Sequence, residues 1–471
     1  MAHQDRGRKP ARCSHADDLH RALHWLLAGV SLGGIVFRFN CTWTPPKLVF
    51  MGLLWAWSDE KTLLERFATG RKIIRSWFGK QHQPAASYQA FIKVLRKWTE
   101  PLLAILRPAF RERMAKVLAS VWTVAGWVVF AADGSKVDVP RTCKNEERYS
   151  PKSKLSREAQ KRRRKSRRRR ALREARRRKA NVPRIWMTVV WHVGSGLPWD
   201  WRTGPSDSSE RGHLEEMLPT LPARSLVTAD AGFVGYDLWN TILAAGHQLL
   251  VRVGSNVTLL KKLGYAREHN GLVYLWPDRA AKKRLPPLVL RLVVVSTGSH
   301  PVYLVTSVMN SRVFSGEQVA AVYRRRWGIE VYYRHCKQTF ERRKLRSQNP
   351  DNAMVELHWS LLGMWAMGLH SHSRLVRKGV PPGRISFAGV WRAYRRPMRE
   401  YKSRPDPGER LTELLDRAII DPYQRKNKTS RDYPRRKQEQ AAGPPTILTA
   451  TRSQVRNAQE VKIEQRTRLT A

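Results

Sequence analysis

The chain has 471 residues, 42% of them apolar, so it can bury sizeable cores and allows about two to four domains. Its 88 lysines and arginines stand against 38 aspartates and glutamates, a formal charge of +50 that is too lopsided for an enzyme of small molecules and calls for a polyanionic partner. The charge is spread over nearly the whole chain rather than set beside one amphipathic helix, which favours nucleic acid over a membrane surface, and 18 tryptophans argue against a purely structural basic protein.

Residues 1–18 are polar and read as loose. Residues 22–37 are mostly apolar and follow Arg6, Arg8 and Lys9, as a signal peptide would. His24 and Ser31 interrupt the run, however, no small-residue cleavage site is clear, and the stretch is short for a membrane span. It reads better as a buried helix of a helical N-terminal domain spanning about 1–125. Leu63, Phe67, Ile74 and Trp77 recur at helical spacing behind a cap at Ser58-Asp59, and two further helices fit 87–98 and 101–120. Cations and aromatics interleave here (Arg71, Lys72, Arg75, Trp77, Lys97, Trp98), which suits a DNA-binding domain as well as a structural bundle. The four cysteines, Cys13, Cys41, Cys143 and Cys336, form no C-x-x-C pair and have no zinc-like histidine spacing, as expected in a reducing cytoplasm.

At Trp127 the texture changes. Trp127 to Val137 reads as a buried strand reaching an acidic turn at Asp133. A basic arm over 156–180 follows. Fifteen lysines and arginines lie between Arg157 and Lys179, opposed by Glu158 and Glu174, with no apolar stripe to pack. Phosphates are its simplest target, a nuclear-localisation signal the alternative. Strands are predicted at Ile185–Trp191 and Pro198–Arg202, turning at Gly194-Ser-Gly196. A helix over 208–219, capped by Ser208 or Ser209, precedes a strand at Ser225–Ala229 that closes on Asp230. A helix at Tyr236–Ala245 and a strand at Gln248–Val253 complete a core of 126–254, resumed at 309–375. Strand-like alternation fills a β-rich insertion over 255–308. Ser315-Gly-Glu-Gln318 matches a capping box and opens a long helix. An apolar helix follows at 355–372, then a basic C-terminal region, 376–471, with a flexible tail from about 400. Strands then helices in this order predict a mixed α/β sheet flanked by helices.

The long helix carries Tyr323, Arg326, Glu330 and Lys337. At about 100° per residue these fall within a sector of roughly 60°, one face bearing a phenol, a guanidinium, a carboxylate and an ammonium. A lone carboxylate between two cations suits a metal site pressed against a phosphate backbone; a solvated charged face is the alternative. Two-metal phosphoryl transfer needs about three carboxylates, and Mg²⁺ prefers hard oxygen ligands. Asp133 and Asp230 end strands, and Glu330 faces inward from the helix. Asp138 follows Asp133 by an odd number of positions and would point to the opposite face. Asp237 fits the first turn of the helix after Asp230. Glu210, Glu215 and Glu216 share one helix and read as a solvated face, with support of the site from behind as the other reading.

These residues resemble the DDE transposases of bacterial insertion sequences, in the group with a Y-(2)-R-(3)-E-(6)-K signature. Tyr323, Arg326, Glu330 and Lys337 match that spacing at every position, and Asp133-Gly-Ser135, Asp230-Ala-Gly-Phe233 and the Arg326-to-Glu330 run are similar to the group's motifs. The resemblance covers roughly 127–370. It implies an RNase H-like catalytic core with a β-strand insertion, and Asp133, Asp230 and Glu330 as ligands of two Mg²⁺ ions, with Mn²⁺ as a substitute. It implies that Arg326 and Lys337 grip phosphates, that Tyr323 helps to hold the terminal phosphate, and that Trp327 stacks on a flipped base, with packing as the other role for that ring. It further implies double-stranded DNA partners (terminal inverted repeats and target), a homodimer in a synaptic complex, no membrane, and a cytoplasmic, nucleoid-associated place in a bacterium. The expected reactions are metal-dependent strand cleavage at element ends and strand transfer. The competing readings are a catalytically silent DNA-binding relative and another RNase H-like nuclease. One departure stands out: the family commonly has an arginine where this chain has Ala231.

Overall fold

The computed structural model describes residues 14–37, 41–79, 87–151, 182–296, 300–420 and 443–470. The basic arm over 156–180 lies outside them. A ten-stranded mixed sheet organises the chain. Strands β1 (Val129–Asp138), β2 (Arg184–His192) and β3 (Leu197–Gly204) form an antiparallel meander. Strand β4 (Leu226–Ala229) then runs parallel beside β1, and β5 (Gln248–Val253) parallel beside β4. The order β3-β2-β1-β4-β5 is the RNase H-like arrangement that the motifs imply. Val129, Phe130, Ala131 and Ala132 are buried, as is every residue of β4, because helices and neighbouring chain cover both faces here.

The insertion does not form a separate layer. Strands β6 (Thr258–Lys261), β7 (Leu272–Leu275), β8 (Leu288–Ser296) and β9 (Pro301–Thr306) extend the same sheet, with β9 antiparallel to β5. The outermost strand is β10 (Thr446–Thr449), parallel to β6. The flexible tail expected from about 400 is therefore corrected: 411–416 and 452–470 are helical and β10 is in the sheet. Composition misleads there because a strand from the far end of the chain gains its hydrogen bonds from β6, which no local pattern announces.

The N-terminal helices are α1 (His15–Leu27), α2 (Pro45–Trp57), α3 (Leu63–Phe78) and α4 (Tyr88–Val117). The apolar run expected as one helix over 22–37 ends its helix at Leu27. Helix α3 is capped by Thr62 and Glu65, a reciprocal capping box, and not by Ser58-Asp59. Helix α4 runs through Pro101 and Pro108 without stopping. Both prolines are exposed, so water can satisfy the carbonyls they free. Helix α2 is apolar all round and packs against the long helix over Pro350–Arg377. Gly52 makes that possible, since a Cβ there would overlap the Trp359 ring, and Trp57 Nε1 donates to the Gly363 carbonyl at 2.9 Å. The fully buried Arg342 donates to Ser360 Oγ, Phe340 O and Ala56 O, each at 2.8 Å, and so ties α2 to the segment after the signature residues.

Candidate active site

The first two candidate carboxylates sit at the same level of the sheet. Strands β1 and β4 pair as Val129 with Leu226 through Ala131 with Thr228, a constant offset that brings Asp230 level with Asp133 one strand away. Asp133 Oδ1 accepts the Gly134 N–H at 2.8 Å. Asp230 leaves β4 and caps a short 3₁₀ turn, its Oδ1 accepting the Gly232 N–H at 2.8 Å. Asp138 goes elsewhere: it pairs with Arg184 at 2.8 Å, a structural ion pair.

The signature residues do not lie on one regular helix. A helix over Gly316–Arg326 opens with the expected capping box at Ser315 and Gln318. The chain turns at Trp327, resumes as a helix over Gly328–Arg334, and widens to a π-helical turn over His335–Thr339. A side chain from far away in sequence sits at the first break. The Trp191 ring of β2 fills the space that a side chain at Gly328 would need. The single-stripe geometry expected for Tyr323, Arg326, Glu330 and Lys337 is thus replaced by three short pieces, each held to the sheet. Tyr333 is the main fastener. Its hydroxyl donates to the Asp133 carbonyl at 2.6 Å and accepts the Val189 N–H at 3.1 Å. Lys337, on the π turn, reaches Ser135 Oγ at 2.6 Å, two residues beyond Asp133. Arg326 is buried and donates to Glu330 Oε1 at 2.7 Å, with its guanidinium over the Tyr323 ring at 5.5 Å. The expected residues therefore meet at the middle of β1 and the end of β4: Asp133 does not end its strand as expected, because β1 runs on against β2 to Asp138, and Glu330 is engaged by Arg326.

Electrostatics follow from this crowding. Burial pushes the Asp133 carboxyl up to about 7, and the negative charges of Asp230 and Glu330 add to the effect, against the Gly134 N–H and Arg326. Burial also lowers the Lys337 ammonium from its usual value. Among the described residues no three carboxylate, imidazole or thiolate groups are close enough to hold an ion as they stand. The donor set nonetheless fits a hard divalent cation: its groups are carboxylates, Asp133 and Asp230 carry no salt-bridge partner among the described residues, and Glu330 needs only to leave Arg326.

A stability measurement tests the crowding. The folded chain holds the Asp133 proton to higher pH than the unfolded chain does, so stability from this group falls as pH rises from about 4 to about 7. Asp133→Asn is expected to stabilise the metal-free protein at pH 8 by about 1–3 kcal/mol, with the gain shrinking toward pH 4. Thermal unfolding in a chelator at the two pH values reads this out; an equal effect at both would show that Asp133 is not held in a strained ionised state.

The sequence did not single out Glu210. It begins the helix over Glu210–Met217, which packs on β1, β2 and β3, and its carboxylate lies where a Cβ of Gly134 would be and 3.9 Å from one at Gly232. Ser209 caps that helix, as one of the two expected serines. Trp327 is also informative: its ring is 58% exposed, at the rim of a mainly apolar cavity of about 480 Å³ lined by Trp191, Gly328, Tyr332 and Met364. The packing role for Trp327 is thereby weakened, since a packed ring would be covered.

Comparison with known proteins gives the family. A likeness in structure extends to a piggyBac transposase synaptic complex with hairpin DNA, at 13% identity and a TM-score of 0.35, covering 88% of this chain and 85% of that one. Transposase InsG for insertion sequence element IS4 of Escherichia coli (strain K12) is 28% identical over 221 residues, which are 44% of this chain and 49% of that protein. The chain thus spans about half the length of this curated relative. The model of the transposase DDE domain matches residues 128–365, just over half of the chain and the span from β1 to the helix behind the signature residues, so the chain belongs to the transposase DDE domain family.

Proposed function

We propose that the chain is a DNA transposase that cuts one strand at the end of its mobile element and joins the freed end to target DNA. The observation that carries this reading is the alignment of Asp133, midway along β1, with Asp230 at the end of β4, with the Arg326–Glu330 pair and Lys337 beside them. Asp133, Asp230 and Glu330 would hold divalent cations, for which Mg²⁺ is the fitting ion and Mn²⁺ a substitute. When bound, such ions polarise a phosphodiester and lower the pKa of an attacking water.

The chain's own groups position the DNA. Arg326 and Lys337 supply cations for the phosphates flanking the scissile bond. A phosphate oxygen at Arg326 would compete with Glu330 for the guanidinium and release the carboxylate toward the two aspartates. The buried Nε of Arg326 has no hydrogen-bond partner among the described residues, and the buried hydroxyl of Tyr323 interacts with the same guanidinium, which leaves this pair able to serve a terminal phosphate. Trp327, exposed over its cavity, offers a face to an extruded base. Hydrolysis breaks a P–O3′ bond and leaves a 3′-hydroxyl and a 5′-phosphate. That hydroxyl then attacks a target phosphate and a target 3′-oxygen leaves, so no covalent enzyme intermediate is required. Two ends must be processed, and one chain carries one acidic set, so a pair of chains on paired ends is the assembly we propose. Its setting is the DNA of a bacterial nucleoid; no helix among the described residues is long and apolar enough to cross a membrane.

The test uses the purified chain and two duplexes, one carrying the sequence that flanks its coding region and one unrelated. A nick exposing a 3′-hydroxyl at the element end, dependent on Mg²⁺ or Mn²⁺, is expected on the first duplex. Divalent-independent cleavage, or equal cutting of both duplexes, would remove the reading.

A further inference from the structure

Within the site just proposed, Glu210 stands out by position and by what it lacks. It comes from a different element than the three expected carboxylates, the first turn of the helix over Glu210–Met217. Two glycines make room for it. A Cβ on Gly134, the residue after Asp133, would overlap the Glu210 carboxylate, and one on Gly232, two residues after Asp230, would lie 3.9 Å from its Oε1. The helix start is also pinned to the Asp230 turn: Arg211 Nε donates to the Gly232 carbonyl at 2.9 Å, and Asn256 Nδ2 holds the Ala231 carbonyl at 3.1 Å. Glu210 is therefore held between the middle of β1 and the Asp230 turn rather than swinging in solvent.

Such a placement is unfavourable on its own. Glu210 is half buried beside Asp230, and both burial and that neighbouring charge disfavour its ionised form. No salt bridge to Glu210, Asp133 or Asp230 is formed among the described residues, although the chain has cations in abundance. Arg211, the next residue, spends its Nε on a backbone carbonyl. A second and independent sign of a missing ligand lies in the same site: Arg326 is more than nine-tenths buried, bonds Glu330 through Nη2, and has an Nε–H without an acceptor. Carboxylates brought together with no ion pair among the described residues, next to a cation short of an acceptor, suit a site for a metal ion bound to a phosphate.

We infer that Glu210 is a fourth carboxylate of the divalent-cation site, contributed beside Asp230 by the helix over Glu210–Met217. The inference rests on the proposed metal-dependent site and deepens it: Asp133, Asp230 and Glu330 then need not supply every protein oxygen around the cations. It also gives Gly134 a chemical reason, since a side chain there would displace the Glu210 carboxylate.

The experiment is a titration of the full-length protein with Mn²⁺, read by the loss of the free-ion paramagnetic resonance signal, with no DNA and no turnover. Wild type, Glu210→Gln, Asp133→Asn and, as a control on the same helix, Glu215→Gln are compared. Glu210→Gln is expected to weaken Mn²⁺ binding at least tenfold, Asp133→Asn more, and Glu215→Gln less than twofold. Thermal unfolding in a chelator is expected to leave Glu210→Gln as stable as wild type or more so, because a repulsion is removed; a large loss of stability would mark Glu210 as a structural residue and overturn the inference. Mn²⁺ binding unchanged in Glu210→Gln but lost in Asp133→Asn would refute Glu210 alone and leave the acidic trio standing. Binding unchanged in both would remove the metal site and Glu210 with it.

Discussion

Glu330→Ala is expected to lower divalent-dependent strand cleavage at least a thousandfold while leaving binding to the element end within about threefold of wild type. The size follows from the role proposed for the side chain. Removing one oxygen donor from a catalytic metal set costs several kcal/mol in the transition state, and each 1.36 kcal/mol is about tenfold in rate. Binding is expected to survive because affinity for DNA comes from the many phosphate contacts, not from one acid. Glu330 is only partly buried, and Arg326 keeps its place over the Tyr323 ring, so the fold should tolerate the truncation. Single-turnover cleavage and a gel-shift measurement on the same duplex separate the two effects. Cleavage within tenfold of wild type would strike Glu330 from the active site; lost binding would mean that the helix itself had moved.

The second large effect concerns the arm. Deletion of 157–179 removes fifteen lysines and arginines. If about half of them contact phosphates, the slope of log affinity against log salt should become shallower by about six, and affinity at low salt should drop by more than a thousandfold. End-specific and unrelated duplexes should lose nearly the same factor, because phosphate contacts carry no sequence information. Fluorescence anisotropy over a range of salt concentrations measures both. An unchanged slope would show that the arm serves something other than DNA phosphates.

Much of the site could be read before any coordinates, because it depends on local signals. The Ser315–Gln318 capping box and the apolar ends of β1 and β4 are short-range features, and they located the signature residues, Asp133 and Asp230. The geometry of the signature could not be read, since the turn at Trp327 and the π-helical turn over His335–Thr339 sit against Trp191 and Ser135, residues that only the fold brings there. Glu210 was hidden for the same reason. On its own helix it is one acid among three, and only the approach of the Gly134 and Gly232 turns separates it from Glu215 and Glu216. Gly134, directly after Asp133, was the one available hint, and its meaning requires knowing what fills the space.

The pairing of β10 with β6 sets the order in which this protein can be completed. Residues 258–261 leave the ribosome long before their neighbour at 446–449 exists. Until then one margin of a ten-stranded sheet is open, with Thr258 to Lys261 offering unused amides and carbonyls on that side. During that interval a nascent chain is exposed to pairing with another nascent chain, and the margin is sealed only by the last strand made. A shortened gene product ending before residue 446 would keep every candidate catalytic residue yet carry a sticky border, and should be recovered as aggregate where the full chain is not.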